Sequence, residues 1–272
     1  MAFNPIESID DTRLDPYRQL RTRNLTRYSQ RFIAESRPLV QRLLESDYPI
    51  ESILVDERYR EEAATWVPEN IDTLLVPHDW IEELLGFHFH RGFLACGIRK
   101  AQPTIADAFQ RTVGNIGWTG MLAVGVQDPE NLGGLLRNAA GLGIRDCFLG
   151  PGTADPLSRR VLRVSMGTAL KLHLIDAREL DLLFELLNRY SISSLATSLQ
   201  EPSSPLENFQ RSGPTLVMMG NEALGLPMEL QQKATHRVKI AMELETDSLN
   251  VSVASGIVLH HLVRISSATR LA

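Results

Sequence analysis

The chain has 272 residues, enough for one large domain or two moderate ones with a sizeable core. Hydrophobic residues make up 43% and charged residues 22%, as in an ordinary soluble globular protein. No apolar run nears the ~18 residues a membrane span needs, MAFNPIESID lacks a signal peptide's basic and apolar regions, and a cytoplasmic location is expected. The net charge of −5 argues against a protein that grips nucleic acid with its whole surface.

The basic charge is concentrated near the start. Residues 11–42 hold Arg13, Arg18, Arg21, Arg23, Arg27, Arg31, Arg37 and Arg42 against Asp11, Asp15 and Glu35, while lysine occurs only at positions 100, 171, 233 and 239. Planar guanidinium forks suit phosphate, so Arg18, Arg21, Arg23, Arg27 and Arg31 are candidate RNA contacts; a solvated helical face fits the same pattern. Cys96 and Cys147 stand far apart beside apolar residues and read as small buried hydrophobes, neither a disulfide nor a metal site.

Two patterned units precede residue 100. In the first, Leu39, Val40, Leu43 and Leu44 mark an amphipathic helix, Asp47 to Pro49 a turn, and Ile50 to Val55 a strand. In the second, a strand at Leu74 to Val76 leads to a helix from Pro77 to Leu85 and a strand from Gly92 to Ile98. Such alternation predicts a small α/β layer over residues 1–100. His88 and His90 flank Phe89, a weak metal signal that a loop or strand edge explains better, and no metal site is expected. Pro103, Gly114 and Gly117 break the pattern, and residues 101–118 are expected to be an exposed linker with a short helical piece.

From 119 to 272, continuous apolar strands alternate with helices, which predicts a mostly parallel sheet with helices on both faces and ligands at the strands' carboxyl ends. Three polar clusters fall there. In VQDPENLGGLLRNAAGLGI, Asp128 can cap a helix that Pro129 begins, with Asn131 and Arg137 on two sides of its start. Gly133 and Gly134 imply a close neighbour or tight helix packing, and no GxGxxG dinucleotide fingerprint follows the strand. TLVMMGNEALGLP runs a strand into Gly220, Asn221, Glu222 and Gly225, either a polar-ligand loop or an ordinary turn. In KIAMELETDSLNVSVASG a strand ends near Met242, and an acidic loop delivers Ser248 and Asn250 to the start of an apolar helix; taken alone, this is a capped core helix.

Together these clusters resemble the motifs of the SpoU (TrmH) family of RNA 2'-O-ribose methyltransferases, of the SPOUT class, over roughly residues 118–270. NLGGLLRNAAGLGI is similar to the first motif through Asn131 and Arg137, LVMMGNEALGL to the second through Gly220, Asn221, Glu222 and Gly225, and DSLNVSVASGI to the third through Ser248 and Asn250. ADPLSRRVLRVSMGT resembles the family's Asp-rich loop and Arg-x-Ser-x-Gly stretch, and residues 1–100 look like the ribosomal-protein-like RNA-binding domain of many members. Two places depart from the pattern: Ala241 stands where the family has a proline, and Glu243, Leu244 and Glu245 where it has glycines.

The resemblance implies a C-terminal trefoil knot in the α/β domain and S-adenosylmethionine held largely by backbone groups. Its site would draw on Thr197, Leu216, Met218, Met219, Gly220, Asn221, Gly225, Ile240, Met242 and Leu249. Arg137, Asn131, Glu222, Ser248 and Asn250 would be the catalytic set, shared across a homodimer acting on structured rRNA or tRNA, with guanosine favoured. Arg137 would orient ribose and phosphate, because a guanidinium is a poor base. A non-catalytic RNA-binding or ribosome-assembly factor that keeps the fold is the alternative.

Overall fold

The computed structural model describes residues 3–21, 29–244 and 246–266. The chain divides into two compact units, Met1–Ala101 with Leu157–Leu170, and Gln102–Pro156 with Lys171–Ala272.

The first unit has a five-stranded sheet in the order β1-β4-β3-β5-β2. Its strands are β1 (Asn4–Pro5), β2 (Arg31–Glu35), β3 (Ile50–Asp56), β4 (Thr73–Val76) and β5 (Phe93–Ile98). β3 runs parallel to β4 and antiparallel to β5, and β5 pairs antiparallel with β2. Helices α1 (Arg37–Leu44), α2 (Arg60–Ala64) and α3 (His78–Leu85) complete the N-terminal portion. α1 forms because Leu39, Val40 and Leu43 share one buried face; α3 stops at Gly86, whose φ of 75° suits a residue without Cβ. Both helices and the three longer strands of the sequence pattern are present. β2 is an addition, hidden in the arginine-rich run, and four of its five residues are buried.

The segment Leu157–Leu170 clusters with this unit, although the expected domain map put it in the C-terminal part. Its helix α6 (Arg159–Val164) packs on β2.

The second unit carries a seven-stranded, all-parallel sheet in the order β10-β12-β9-β11-β6-β7-β8. The strands are β6 (Thr119–Ala123), β7 (Asp146–Leu149), β8 (His173–Asp176), β9 (Ser193–Thr197), β10 (Ser204–Pro205), β11 (Thr215–Met219) and β12 (His236–Lys239). The central β6 and β11 are buried at every position, as parallel strands covered on both faces must be. The helices are α4 (Ile105–Gln110), α5 (Pro129–Gly141), α7 (Leu180–Arg189), α8 (Met228–Lys233) and α9 (Val251–His260). The presumed linker is not an exposed tether: Thr104 and Asp107 form a capping box for α4, whose Ile105, Ala108 and Phe109 enter the core beside Trp118, Phe148 and Leu187.

At the amino ends of β6 and β11 the buried Arg211 guanidinium donates to Thr119 Oγ1 and to the carbonyls of Trp118 and Gly213. At their carboxyl ends successive connections depart to opposite sides of the sheet, the position where open α/β sheets place ligands.

Candidate active site

β6 ends at Ala123, four residues before the expected Gln127, and the chain turns through Gly125 with a φ of 67°. β11 delivers Gly220 directly beside it. Asn221 Nδ2 donates to the Gly125 carbonyl at 2.7 Å, and Asn221 Oδ1 accepts from the Ala223 and Leu224 amides at 2.9 Å each. The loop is closed by backbone: a Cβ on Gly220 would lie 2.3 Å from Gly225 C and Leu226 N. Only glycine fits there.

Glu222 and Asn131 meet at the start of α5. Asn131 Nδ2 donates to Glu222 Oε1 at 3.0 Å, and the Asp128 amide donates to the same oxygen at 3.2 Å. Burial raises the Glu222 carboxyl, but the Asn131 hydrogen bond and the backbone amides of Glu222, Asp128 and Gln127 outweigh it and hold the carboxyl below its ordinary value. Asn250 Nδ2 donates to Asn131 Oδ1 at 2.8 Å, while Asn250 Oδ1 accepts from the Ser252 amide at 2.9 Å and so caps α9. The order Ser252 to Asn250 to Asn131 to Glu222 joins all three sequence clusters, the third through two residues. Its direction follows from a backbone amide that can only donate at one end and a carboxylate that can only accept at the other.

α5 and α9 lie close enough that a Cβ on Gly134 would sit 2.1 Å from Ser252 Oγ. Next to it, Asn138 Nδ2 donates to the Ser252 carbonyl at 2.7 Å and to Ser255 Oγ at 2.9 Å. The glycine in the first motif therefore serves helix contact.

A cleft of about 280 Å³ opens beside these loops. Thr197, Met219, Gly220, Asn221, Glu222, Gly225, Ile240, Met242, Ser248 and Leu249 line it. Leu216 and Met218, also expected there, do not: both point into the helix-covered core of β11, and only the Met218 carbonyl comes near, accepting from Thr197 Oγ1 at 2.9 Å. Ser248 lines the cleft but does not cap α9; Asn250 alone does that. β12 ends at Lys239, three residues short of the expected Met242, which leaves Ile240 and Met242 in the irregular lining.

Arg137 stands apart. It is exposed on α5, does not line the cleft and has no ion pair or hydrogen bond among the described residues. Asn131 and Glu222 make their bonds to the loop and the α9 cap, away from this arginine.

Sequence reasoning missed Gln231 and Lys239. Gln231 is buried in the cleft wall, where its Nε2 donates to the Leu226 carbonyl at 2.7 Å and its Oε1 accepts from Ser198 Oγ at 2.6 Å. No spacing in the short α8 marks it. Lys239 lines the cleft and is neutralised by Glu201.

Of the N-terminal arginines, Arg18 pairs with Asp15 at 2.9 Å and donates to the Ile9 and Asp11 carbonyls. Arg31 pairs with Glu51 from β2, and Arg21 is exposed. Arg23 and Arg27 lie outside the described residues. No group of histidine, cysteine and acidic side chains suited to a metal ion occurs among the described residues, and no helix there is long and apolar enough to cross a membrane.

A parallel sheet with glycine-closed loops and an amide-carboxylate junction at its switch point defines an α/β scaffold with a ligand cleft at the strands' carboxyl ends. The model of the SpoU rRNA methylase family matches residues 120–260. An uncharacterized tRNA/rRNA methyltransferase of Mycobacterium bovis is 32% identical over 269 residues, covering 94% of this chain and 90% of that protein. A 23S rRNA (guanosine(2553)-2'-O)-methyltransferase of Bacillus subtilis is 25% identical, covering 94% and 98%. An AdoMet-bound rRNA methyltransferase from Sinorhizobium meliloti superposes with a TM-score of 0.78 at 24% identity, covering 96% and 98%, and shows the same fold. The chain belongs to the SpoU rRNA methylase family.

Proposed function

We propose that this protein methylates a ribose 2'-hydroxyl of structured ribosomal or transfer RNA, with guanosine as the favoured nucleoside, using S-adenosylmethionine. The observation that carries the reading is the junction of Glu222, Asn131 and Asn250, which locks all three polar clusters at the mouth of one cleft. The name of the Bacillus subtilis relative supports a guanosine ribose.

The cleft fits the cofactor chemically. Its volume is at the small end of the ~300–1,000 Å³ usual for small-molecule sites, and Met219, Leu226, Ile240, Met242 and Leu249 offer an apolar slot for a nucleoside. Among the described residues that line it, Lys239 is the one lysine, and it is paired with Glu201. A nucleoside cofactor without phosphates matches that lining better than a dinucleotide. S-adenosylmethionine supplies the methyl group as an activated sulfonium. The Gly220 to Leu226 loop and the Ser248 to Asn250 turn hold it through backbone groups, and the knotted return of the chain belongs to the same reading.

Arg137 presents a planar fork to the ribose and its neighbouring phosphate, and the phosphate or a water takes the hydroxyl proton. Arg137 has no partner among the described residues, and in this reading it serves the cleft of a second copy. Val253 at 52% and Ile257 at 40% exposure form an apolar stripe on α9 that a homodimer would cover. Ser248 shapes the meeting of cofactor and RNA. The N-terminal unit docks the RNA; Arg21 is its open contact among the sequence-expected set, with Arg18 and Arg31 partly neutralised by their carboxylates.

Ribose-methylation mapping of total RNA from a deletion strain tests the reaction: loss of one ribose methyl is expected, and an unchanged map rejects it. Arg137→Lys tests the fork. A fall of about 10–100-fold in methylation is expected, the worth of a charged hydrogen bond of about 1.5–3 kcal/mol; a near wild-type rate removes Arg137 from this role.

A further inference from the structure

The first unit contains a second concentration of arginine that the sequence-expected RNA contacts do not include. Glu35, at the end of β2, is only 6% exposed. Arg159 of α6 donates to its Oε2 at 2.8 Å, and Arg91 approaches its Oε1 at 3.7 Å. Arg163, one turn further along α6, has no carboxylate partner among the described residues. Two guanidiniums thus meet one carboxylate and a third lies one turn along the same helix, a local excess of positive charge in a chain whose net charge is −5. Burial lowers the Arg163 pKa, Glu35 opposes that, and Arg160, Arg91 and Arg159 push it down further. An anion seated here would balance the excess of guanidinium over carboxylate.

The geometry also supplies an aromatic neighbour. The Arg159 guanidinium lies 4.7 Å from the Phe87 ring centroid, on the loop that continues through His88 and His90 to Arg91. The His88 and His90 rings are exposed and 4.7 Å apart. Backbone phosphates are held by guanidiniums, and unstacked bases rest on aromatic or imidazole planes. Buried Glu35 would keep Arg159 and Arg91 aimed without ordering cost when the ligand arrives.

We propose that Arg91, Arg159 and Arg163, seated on Glu35, form a phosphate-binding site for the RNA backbone, with the loop from Phe87 to Arg91 against the adjoining nucleotide. The site rests on the RNA reading above and assigns it a docking point distinct from the arginines of residues 11–42.

The test is filter binding of the full-length protein to a bacterial 23S rRNA transcript across a salt series, with S-adenosylmethionine affinity measured in parallel. In the Arg91→Ala/Arg163→Ala variant, RNA affinity is expected to fall about tenfold or more, and the slope of log affinity against log salt to drop by about 1–2, with cofactor affinity unchanged. An unchanged affinity and slope overturn the site. Should circular dichroism show the double variant unfolded, Arg91→Ala alone, on the more exposed arginine, is expected to lower the slope by about 1; an unchanged slope there overturns it equally. A wild-type protein that binds S-adenosylmethionine but no transcript overturns the RNA reading itself, and this site with it.

Discussion

Leu244 stands in the left-handed region, with a φ of 54°, and its side chain is 96% exposed. The backbone there takes a conformation that favours glycine, with a leucine to adopt it. An L-residue there costs about 1–2 kcal/mol, against about 0.5–1 kcal/mol for the extra freedom glycine brings to the unfolded chain. Leu244→Gly should therefore raise stability by up to about 1 kcal/mol in urea unfolding. A loss instead would show that the leucine side chain contributes more than its left-handed backbone costs. Asp146 is a second residue with a measurable signature. It is 5% exposed and accepts from Trp118 Nε1 at 2.8 Å and Arg111 at 2.6 Å, with His173 Nδ1 at 2.8 Å. Burial raises its pKa, yet those three partners together bring it below the ordinary carboxylate value. Its contribution is present above the unfolded carboxylate pKa of about 4 and fades as pH falls through the lower folded value. Asp146→Asn should cost about 2 kcal/mol at pH 7 and flatten that acid limb in thermal melts; an unchanged limb would mean that another group titrates there.

Elements differ in how plainly the sequence announces them. The parallel strands were readable because their apolar runs are unbroken, and α5 because Asp128 and Pro129 mark its start. β2 was not, since Arg31 at its head continues a basic run and its pairing with β5 is a tertiary fact. α4 could have been found: Thr104 and Asp107 stand at capping-box spacing, followed by Ile105, Ala108 and Phe109 on one face. Pro103 and the two glycines beyond masked it. Leu216 and Met218 were drawn into the cofactor set by proximity in sequence, whereas the strand's alternation sends them to the core. The contact of α5 with α9 was signalled only by Gly134, and it can be tested directly. Gly134→Ala should lower stability by about 1–3 kcal/mol through overpacking against Ser252, and adding Ser252→Gly should restore most of it. If the second substitution does not rescue, the clash lies elsewhere.

At the scale of the whole molecule, the chain leaves the second unit after Pro156, contributes Leu157–Leu170 to the first, and returns at Lys171. Nothing in the local pattern of ADPLSRRVLRVSMGT reveals this excursion, because strand and helix periodicity carry no information about which sheet a helix will cover. Val161, Leu162, Ala169 and Leu170 are all buried. A fragment of residues 102–272 would carry them without the unit they cluster with. Exposing a valine and two leucines costs about 1.5–3 kcal/mol each, comparable to the ~5–15 kcal/mol stability of a domain. That fragment should aggregate or melt well below the intact protein in size-exclusion and thermal assays; a stable, monodisperse fragment would show that the excursion is dispensable.

The amide chain from Ser252 through Asn250 and Asn131 to Glu222 behaves as a circuit that conducts in one sense only. Each side-chain amide presents its oxygen backward and its nitrogen forward, so reversing one forces its neighbours to reverse or lose their bonds. Neither terminus permits reversal while Glu222 is ionised. One directed chain of bonds therefore joins the cap of α9, the start of α5 and the Gly220 loop. A substitution that keeps shape but removes the donor, such as Asn131→Asp, would cut the bond to Glu222 and set two carboxylates side by side, while its oxygen still accepts from Asn250.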